Sequence, residues 1–268
     1  MLLAVDIGNT NVTFGLFDGE ELKQTFRAST VRTRTSDEYA VLVRQLIDLR
    51  GLSSDNVDSA IIASVVPPLT DTLADAVRRA CDCESLIVGP GIKTGLPVLY
   101  ENPKEVGADR IVNAVAAYAR HSCGLIVVDF GTATTFDCIT PDGEYLGGVI
   151  CPGITLSLDA LLARAAKLSR VEIAAPPKVL GRNTTHALQS GAIFGYASMV
   201  DGLVARLREE LGFPCKVLAT GGLAPLVARH AVSLEEVDPD LTLVGLRILH
   251  ERNPGGSRGS RGPRGRVR

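Results

Sequence analysis

Two stretches of this sequence match each other: Val5-Asp6-Ile7-Gly8-Asn9-Thr10 near the start, and Val128-Asp129-Phe130-Gly131-Thr132-Ala133 about half a chain later. In both, an apolar segment ends in Asp-x-Gly and a polar residue. A second segment rich in threonine follows, and then an Asp-Gly-Glu turn at residues 18–20 and 142–144. One Asp-x-Gly turn after a strand is common, but two copies with matching turns downstream favour an internal duplication.

Apolar segments alternate with segments of helical periodicity along the chain. The predicted strands are short and rich in valine, isoleucine and leucine, as buried strands of a mixed sheet are. They cover residues 2–6, 11–17, 59–65, 85–88, 124–129, 134–140, 144–150 and 216–220. The predicted helices cover residues 37–50, 69–80, 111–120, 155–166, 185–211 and 242–251. The alternation predicts an α/β fold in two similar halves, residues 1–120 and 121–252, each with a mixed sheet flanked by helices.

The composition excludes several classes of protein. Hydrophobic residues make up 46% of the chain and charged residues 22%, and the formal net charge of −2 gives no general attraction to nucleic acid or to a membrane. No apolar stretch reaches the roughly 20 residues of a membrane helix, and the apolar run at residues 2–5 is too short for a signal peptide. The six cysteines show neither metal-site nor disulfide-framework spacing, which indicates reduced thiols in a cytoplasmic protein.

The last segment, residues 253–268, differs from the rest of the chain. It consists mainly of glycine, serine and arginine, so it cannot bury enough apolar surface to fold. We expect a disordered basic tail without a required role; contact of its arginines with RNA or a membrane is the alternative.

The two Asp-x-Gly loops have the chemistry of a phosphate site. Gly8 directly follows a predicted strand and lets the backbone approach a ligand, because it has no Cβ. Backbone amides of the turn, together with the Asn9 and Thr10 side chains, can donate to phosphate oxygens, and Asp6 can hold Mg²⁺. The second copy, residues 129–135, offers the same set of groups. Facing each other across a cleft, the loops would clamp a polyphosphate; the alternative is a pair of hairpin turns with satisfied polar residues.

A third candidate, Gly107-Ala108-Asp109-Arg110, precedes the predicted helix at residues 111–120. The apolar stripe of that helix places Asp109 in or beside its first turn. One interpretation is an N-cap aspartate. The other is a general base that accepts the proton of an attacking hydroxyl, with Arg110 binding an anionic group of the substrate or phosphate. The residues alone leave both open.

Three further segments lie where strands or helices meet loops. The segment Gly147–Gly153 follows the second phosphate loop and either lines the substrate side of the cleft or is a tight connection. Gly221 and Gly222 would let the flat ring of a nucleoside lie against backbone, or simply lead into a helix. Thr184 and Thr185 stand before the predicted long helix, where N-capping explains one of them.

The motifs of this chain, and the order in which they occur, resemble those of the type III pantothenate kinases. The resemblance extends from residue 1 to about residue 250. Single motifs are shared with the wider acetate and sugar kinase superfamily, whereas Gly-Ala-Asp-Arg with Asn102-Pro103 upstream is particular to this family. The set comprises Asp-x-Gly-Asn-Thr at 6–10, Ser-Val-Val-Pro at 64–67, Gly-Ala-Asp-Arg at 107–110, Asp-x-Gly-Thr-Ala-Thr-Thr at 129–135, Gly-Gly-x-Ile-x-Pro-Gly at 147–153 and Thr-Gly-Gly at 220–222.

The resemblance implies a duplicated actin-like ATPase fold, which is ribonuclease H-like in each half. It implies ATP-dependent phosphorylation of the primary hydroxyl of pantothenate, the first step toward coenzyme A. It also implies Mg²⁺, a monovalent cation such as K⁺ or NH₄⁺, and a homodimer with substrate sites near the dimer interface.

Roles carried over from the family fall on matching positions. Asp109 would be the catalytic base, Asp129 would bind the monovalent cation, and Asp6 is the candidate for Mg²⁺. Residues assigned to ATP and its phosphates are Asp6, Ile7, Gly8, Asn9, Thr10, Asn11, Val12, Thr13, Gly131 and Thr132. Residues assigned to pantothenate are Tyr100, Gly107, Ala108, Asp109, Arg110 and Thr184, and Thr184 would contact it either within one protomer or across the dimer.

Other functions remain open from the residues alone. The chain has neither the phosphate-binding P-loop sequence nor the dinucleotide-binding glycine fingerprint, which removes the main support for those two classes. The same fold with another hydroxyl or carboxylate acceptor is one alternative, since folds of this kind host many reactions. A nucleotide-binding regulatory factor without catalysis is the other. A complete set of base and metal-binding candidates argues for an enzyme.

Overall fold

The computed structural model describes residues 1–165 and 168–254, and these residues pack into two compact units. Of the described residues, unit 1 contains Met1–Gly95, Gly107–Val112 and residues 242–254; unit 2 contains Leu96–Val106 and those between Asn113 and Leu241. The division of the sequence into copies at residues 1–120 and 121–252 stays a prediction about the repeat. The predicted disordered tail lies outside the described residues from position 255 onward.

Unit 1 is built on a five-stranded mixed sheet in the order β3-β2-β1-β4-β5. Strands β1, β2 and β3 form an antiparallel meander, and β4 and β5 continue the sheet parallel to β1. The bounds are β1 Leu2–Ile7, β2 Asn11–Asp18, β3 Glu21–Ser29, β4 Ser59–Ser64 and β5 Ser85–Ile87.

Unit 2 repeats this sheet strand for strand, in the order β8-β7-β6-β9-β10. Strands β6, β7 and β8 form the antiparallel meander, and β9 and β10 lie parallel to β6. The bounds are β6 Leu125–Phe130, β7 Ala133–Ile139, β8 Tyr145–Pro152, β9 Lys216–Thr220 and β10 Glu236–Val237. Equal order and equal directions in both sheets confirm the duplication predicted from the two Asp-x-Gly stretches.

Helices connect and cover the strands. They are α1 Ser36–Asp48, α2 Pro67–Cys81, α3 Ala108–His121, α4 Ile154–Arg164, α5 Thr184–Ser190, α6 Tyr196–Leu211, α7 Ala224–Val227 and α8 Leu241–Arg252. Among the described residues, none of the helices combines the length and apolar character that crossing a membrane requires.

Helix α1 shows how local sequence and packing agree. Thr35 and Glu38 form a reciprocal capping box, in which the Thr35 hydroxyl accepts from the Glu38 amide and the Glu38 carboxylate accepts from the Thr35 amide. One turn apart from each other, Tyr39, Val43 and Ile47 are fully buried on the core of unit 1. The apolar spacing that predicted the helix therefore also builds the core.

Several parts of the secondary structure differ from prediction. The two-residue strand β10 and the four-residue helix α7 are not among the predicted strands and helices, because each is too short to show a periodic pattern. Strand β3 was not predicted, because it lies at the edge of its sheet and exposes the charged residues Glu21, Lys23 and Arg27. The single helix predicted at residues 185–211 is wrong in detail: a π-helical turn, Gly191–Gly195, lies between α5 and α6. Glycines at both ends of that turn have low helix propensity, which permits the local change in hydrogen bonding.

Candidate functional site

The first Asp-x-Gly loop follows β1 in unit 1. Asp6 is the fifth residue of β1 and pairs with Thr13 of β2 and Ala63 of β4. The Gly8 amide donates to the Asn11 carbonyl at 3.0 Å, and a Cβ on Gly8 would lie only 3.0 Å from that oxygen. The turn is therefore tight, and a larger residue at position 8 would push against the Asn11 carbonyl. Asn9 next to it is exposed and can reach a ligand.

The residue after β3 braces this loop. Thr30 donates its backbone amide to the Thr10 carbonyl at 2.9 Å and its hydroxyl to the Gly8 carbonyl at 2.7 Å. With two of its carbonyls bonded, the loop presents Asn9 and Thr10 outward from a fixed backbone. Preorganisation of this kind lowers the entropy that ligand binding has to overcome.

The second loop follows β6 in unit 2 and is one residue shorter. Asp129 is again the fifth residue of its strand and pairs with Thr135 of β7. The Gly131 amide donates to the Ala133 carbonyl, and the Gly153 amide donates to the Thr132 carbonyl, both at 3.0 Å. Gly153 follows β8 as Thr30 follows β3, so the brace is duplicated as well. A Cβ on Gly153 would lie 2.3 Å from the Thr132 carbonyl oxygen, which only glycine avoids.

The Asp129 carboxylate is held from two sides. Asn113, a buried residue of α3, donates its Nδ2 to Asp129 Oδ2 at 3.1 Å. Gly221 has a φ of +91°, and a Cβ there would lie 2.5 Å from Asp129 Oδ1. The sequence pointed to Gly221 as a wall for a nucleoside ring or a lead into a helix; in the structure it adjoins Asp129. Asn113 was missed, because a lone asparagine in an apolar helix carries no motif.

Asp109 is the second residue of α3, so the N-cap interpretation is wrong: the helix begins at Ala108. Its Oδ1 accepts the Arg110 amide at 2.8 Å. A Cβ on Gly107 would lie 2.5 Å from the same Oδ1, so glycine leaves the space that this carboxylate uses. Burial raises the pKa of Asp109, while the Arg110 amide and guanidinium act in the opposite direction.

The start of α3 is anchored by a close helix contact within unit 1. Gly245 of α8 lies so near to α3 that a Cβ on it would come within 2.2 Å of the Val112 carbonyl oxygen. Arg110, on the same turn, is buried. Contact at backbone distance fixes α3 and therefore the position of Asp109.

Tyr100 lies on unit 2, against β8. Its ring is packed on Gly147, where a Cβ would lie 3.0 Å from the ring, and Gly147 has a φ of +120°. The Leu99 amide donates to the Tyr145 carbonyl, and the Tyr145 amide donates to the Pro97 carbonyl, both at 2.8 Å. The predicted glycine segment is therefore the platform on which this candidate pantothenate residue rests.

Thr184 is exposed at the first position of α5. The N-cap is Asn183, whose side chain accepts from the His186 amide at 2.8 Å. Capping as the explanation for Thr184 or Thr185 is therefore wrong.

The candidate residues divide between the two units. Unit 1 holds the loop at residues 6–13 and the segment 107–110, and unit 2 holds Tyr100, the Asp129 loop and Thr184. Within the described part of the chain, no three acidic, histidine or cysteine side chains come together as a metal cluster.

Comparison with known proteins identifies the family that this chain matches. The profile described as "Type III pantothenate kinase" matches residues 2–206. A protein of that description from Anaeromyxobacter sp. (strain K) is 59% identical over 94% of this chain and 100% of its own length. Another, from Myxococcus xanthus (strain DK1622), is 56% identical over 94% of this chain and 99% of its own. Among solved structures, a protein described as a Baf family transcriptional activator from Campylobacter jejuni superposes with a TM-score of 0.56 at 22% identity, covering 94% and 98% of the two chains.

Proposed function

The chain belongs to the type III pantothenate kinase family, and on that premise we propose how its residues divide the work of phosphoryl transfer. The enzyme phosphorylates pantothenate with ATP in the biosynthesis of coenzyme A, and its actin-like ATPase fold matches that activity. The observation that carries the proposal is Asp109, half-buried in the first turn of α3 with a raised pKa.

Asp109 acts as the general base. Phosphoryl transfer needs positioning and charge stabilisation more than covalent work from the protein. The carboxylate is fixed by the Arg110 amide and by the space at Gly107. It receives the proton of the primary hydroxyl of pantothenate, and a pKa raised by burial makes it a stronger base than an exposed aspartate. Arg110, Ala108, Tyr100 and Thr184 complete the pantothenate site in this proposal.

The triphosphate is held by the Asp-x-Gly loops. In the first loop, residues 6–13 contact the phosphates mainly through backbone amides and the Asn9 and Thr10 side chains, which donate to phosphate oxygens, supported by the two hydrogen bonds from Thr30. In the second loop, Gly131 and Thr132 also bind the phosphates. Braced backbones in both copies support this assignment.

Asp6 and Asp129 are the cation ligands in this proposal. Mg²⁺ is ordinarily held by one or two carboxylates together with substrate phosphates, so Asp6, two residues before Gly8 of the loop, suits it. The Asp129 carboxylate, steadied by Asn113 and Gly221, provides oxygen ligands of the kind that K⁺ or NH₄⁺ takes. Bound there, a monovalent cation would supply positive charge near the phosphates.

The test is coupled ATP turnover with pantothenate and Mg²⁺, in KCl or in choline chloride of equal ionic strength. We expect turnover that requires both pantothenate and K⁺, because the Asp129 charge is then balanced. Equal rates in both salts would remove the monovalent cation from the mechanism. No turnover in either, from folded protein that binds ATP, would point to another acceptor or to the regulatory alternative.

We propose that the enzyme acts as a homodimer through an apolar face of unit 2. Helix α4 has four leucines, yet only its first residue, Ile154, is buried. Exposed apolar side chains of unit 2 include Ile150, Leu156, Leu161, Val179 and Leu180. A leucine-rich helix that leaves Leu156 and Leu161 exposed is typical of an interface, and a second copy of this chain is the occupant we assign.

Charges placed on this face should separate the dimer. The double variant Leu156→Glu with Leu161→Glu is expected to sediment with the mass of one chain, 28.3 kDa, and the unaltered enzyme with twice that mass. Val232→Glu is the matched control, because Val232 is also exposed in unit 2 and lies outside α4. A dimer that persists in the double variant would place the interface elsewhere.

The cytoplasm is the proposed compartment. All six cysteines are free thiols, as expected where disulfides are reduced.

The copies of the duplication are proposed to be residues 1–120 and 121–252.

A further inference from the structure

Arg32 stands beside the first phosphate loop and was assigned no role. It lies in the exposed turn after β3, two residues beyond Thr30, which braces the loop. Its Nη2 donates to Asn9 Oδ1 at 3.2 Å. The guanidinium is therefore in direct contact with the side chain that the loop presents outward, and all of these residues belong to unit 1.

The partner of Arg32 is a neutral amide. In residues 1–165 and 168–254, no carboxylate forms an ion pair with this guanidinium. By contrast, Arg79, Arg120 and Arg208 each contact a carboxylate. A guanidinium presents five N–H donors in a planar fork, so the single bond to Asn9 leaves most of its donors available to an anion.

The loop itself has no cationic side chain. Residues 1–22 contain neither lysine nor arginine, while Asp6 contributes a negative charge. A triphosphate brought to this loop would meet amides and hydroxyls but no positive side chain from the loop. The fork geometry of arginine matches two phosphate oxygens at once, and such charge-assisted bonds are about twice as strong as neutral ones.

We propose that Arg32 binds the phosphates of ATP, turning from Asn9 to the nucleotide when the loop is filled. This inference rests on the proposed phosphate role of the first loop. The two copies differ here: the residue two positions after the brace is Arg32 in the first copy and Thr155 in the second. The second copy therefore has no arginine at the matching position.

The experiment compares Arg32→Ala, Arg32→Lys and Gly8→Ala with Arg50→Ala. Arg50 is also exposed in unit 1, at the end of α1 and outside the loop, so it is the matched control. Initial rates give KM for ATP and for pantothenate, and titration calorimetry with ATP and Mg²⁺ gives Kd. Thermal unfolding reports the fold of each variant.

We expect Arg32→Ala to raise KM and Kd for ATP about tenfold to a hundredfold, the range for losing a charged hydrogen bond. KM for pantothenate and the unfolding temperature should not move. Arg32→Lys should recover part of the loss, since it keeps the charge without the fork. The salt dependence of ATP affinity should weaken in Arg32→Ala, because one charge contact is gone; Arg50→Ala should match the unaltered enzyme.

Two results would overturn the inference in distinguishable ways. If Gly8→Ala weakens ATP binding and Arg32→Ala does not, the loop binds phosphate without Arg32. If neither Gly8→Ala nor Arg32→Ala changes ATP binding, the first loop is not the phosphate site. Both the proposed phosphate role of that loop and the inference about Arg32 are then rejected. Equal loss for both substrates with a lowered unfolding temperature would make Arg32 a structural residue, which also overturns the inference.

Discussion

Asp109→Asn is expected to lower kcat by about 10²- to 10⁴-fold, the usual contribution of a general base. Asparagine has the same shape and can still accept the Arg110 amide through its oxygen, so the first turn of α3 should keep its geometry. The unfolding temperature is therefore expected to stay unchanged. The measurement is kcat with pantothenate and ATP at saturation, beside Asp71→Asn, an exposed aspartate of α2, as control.

The pH profile gives the same assignment a second readout. Because burial raises the pKa of Asp109, its carboxylate gains a proton at a higher pH than an ordinary aspartate. The base works only as a carboxylate, so turnover should fall as the pH drops through that raised pKa. Gly107→Ala, which pushes a methyl group against Asp109 Oδ1, should lower kcat less than Asp109→Asn does. Kinase activity that survives Asp109→Asn nearly intact means that another group is the base.

Asp129→Asn is the second change with a large expected effect. It removes the negative charge that we assign to the monovalent cation, while the amide oxygen can still accept from Asn113. We expect the K⁺-stimulated rate to fall about a hundredfold, in the range seen when one preorganised electrostatic group is removed. The K⁺ concentration for half-maximal rate should rise. Rates measured over a K⁺ series, with ionic strength held constant by choline, give both quantities.

Two companions sharpen this prediction. Asp142→Asn changes an exposed aspartate in the hairpin after β7 and should leave the K⁺ series unchanged. Asn113→Ala keeps the Asp129 charge but removes its donor, so it should raise the K⁺ requirement with a smaller loss of rate. If Asp129→Asn retains the K⁺ dependence of the unaltered enzyme, the cation binds elsewhere.

The duplicated strands and loops could be predicted because their signal is local. In β1 and β6, four buried apolar residues precede a partly exposed aspartate, and the glycine turn follows within three residues. Strand β3 was missed although Leu22, Phe26 and Ala28 alternate toward the core side. Gln24 interrupts that alternation, and the exposed charged residues hide an edge strand.

The contacts that steady the site could not be predicted, because they join distant residues. Arg32 reaches Asn9 across 23 positions of sequence, and Asn113 reaches Asp129 across 16. A single polar residue in a turn or a helix has many satisfactory surroundings, so only tertiary structure shows which one it takes. The N-cap interpretation of Asp109 failed for a different reason: it depended on where α3 begins, and helix ends are poorly determined by pattern.

Unit 1 is made from three separate parts of the chain, and this has a consequence during synthesis. The first 95 residues leave the ribosome early, but Leu243, which packs on Gly15 of β2, and Gly245, which meets Val112, are among the last of the described residues to be translated. The packing of unit 1 can therefore be completed only after α8 has left the ribosome, and part of its apolar surface stays exposed until then. A premature stop codon near position 240 is expected to leave a chain whose amino-terminal sheet is incompletely packed and prone to aggregate.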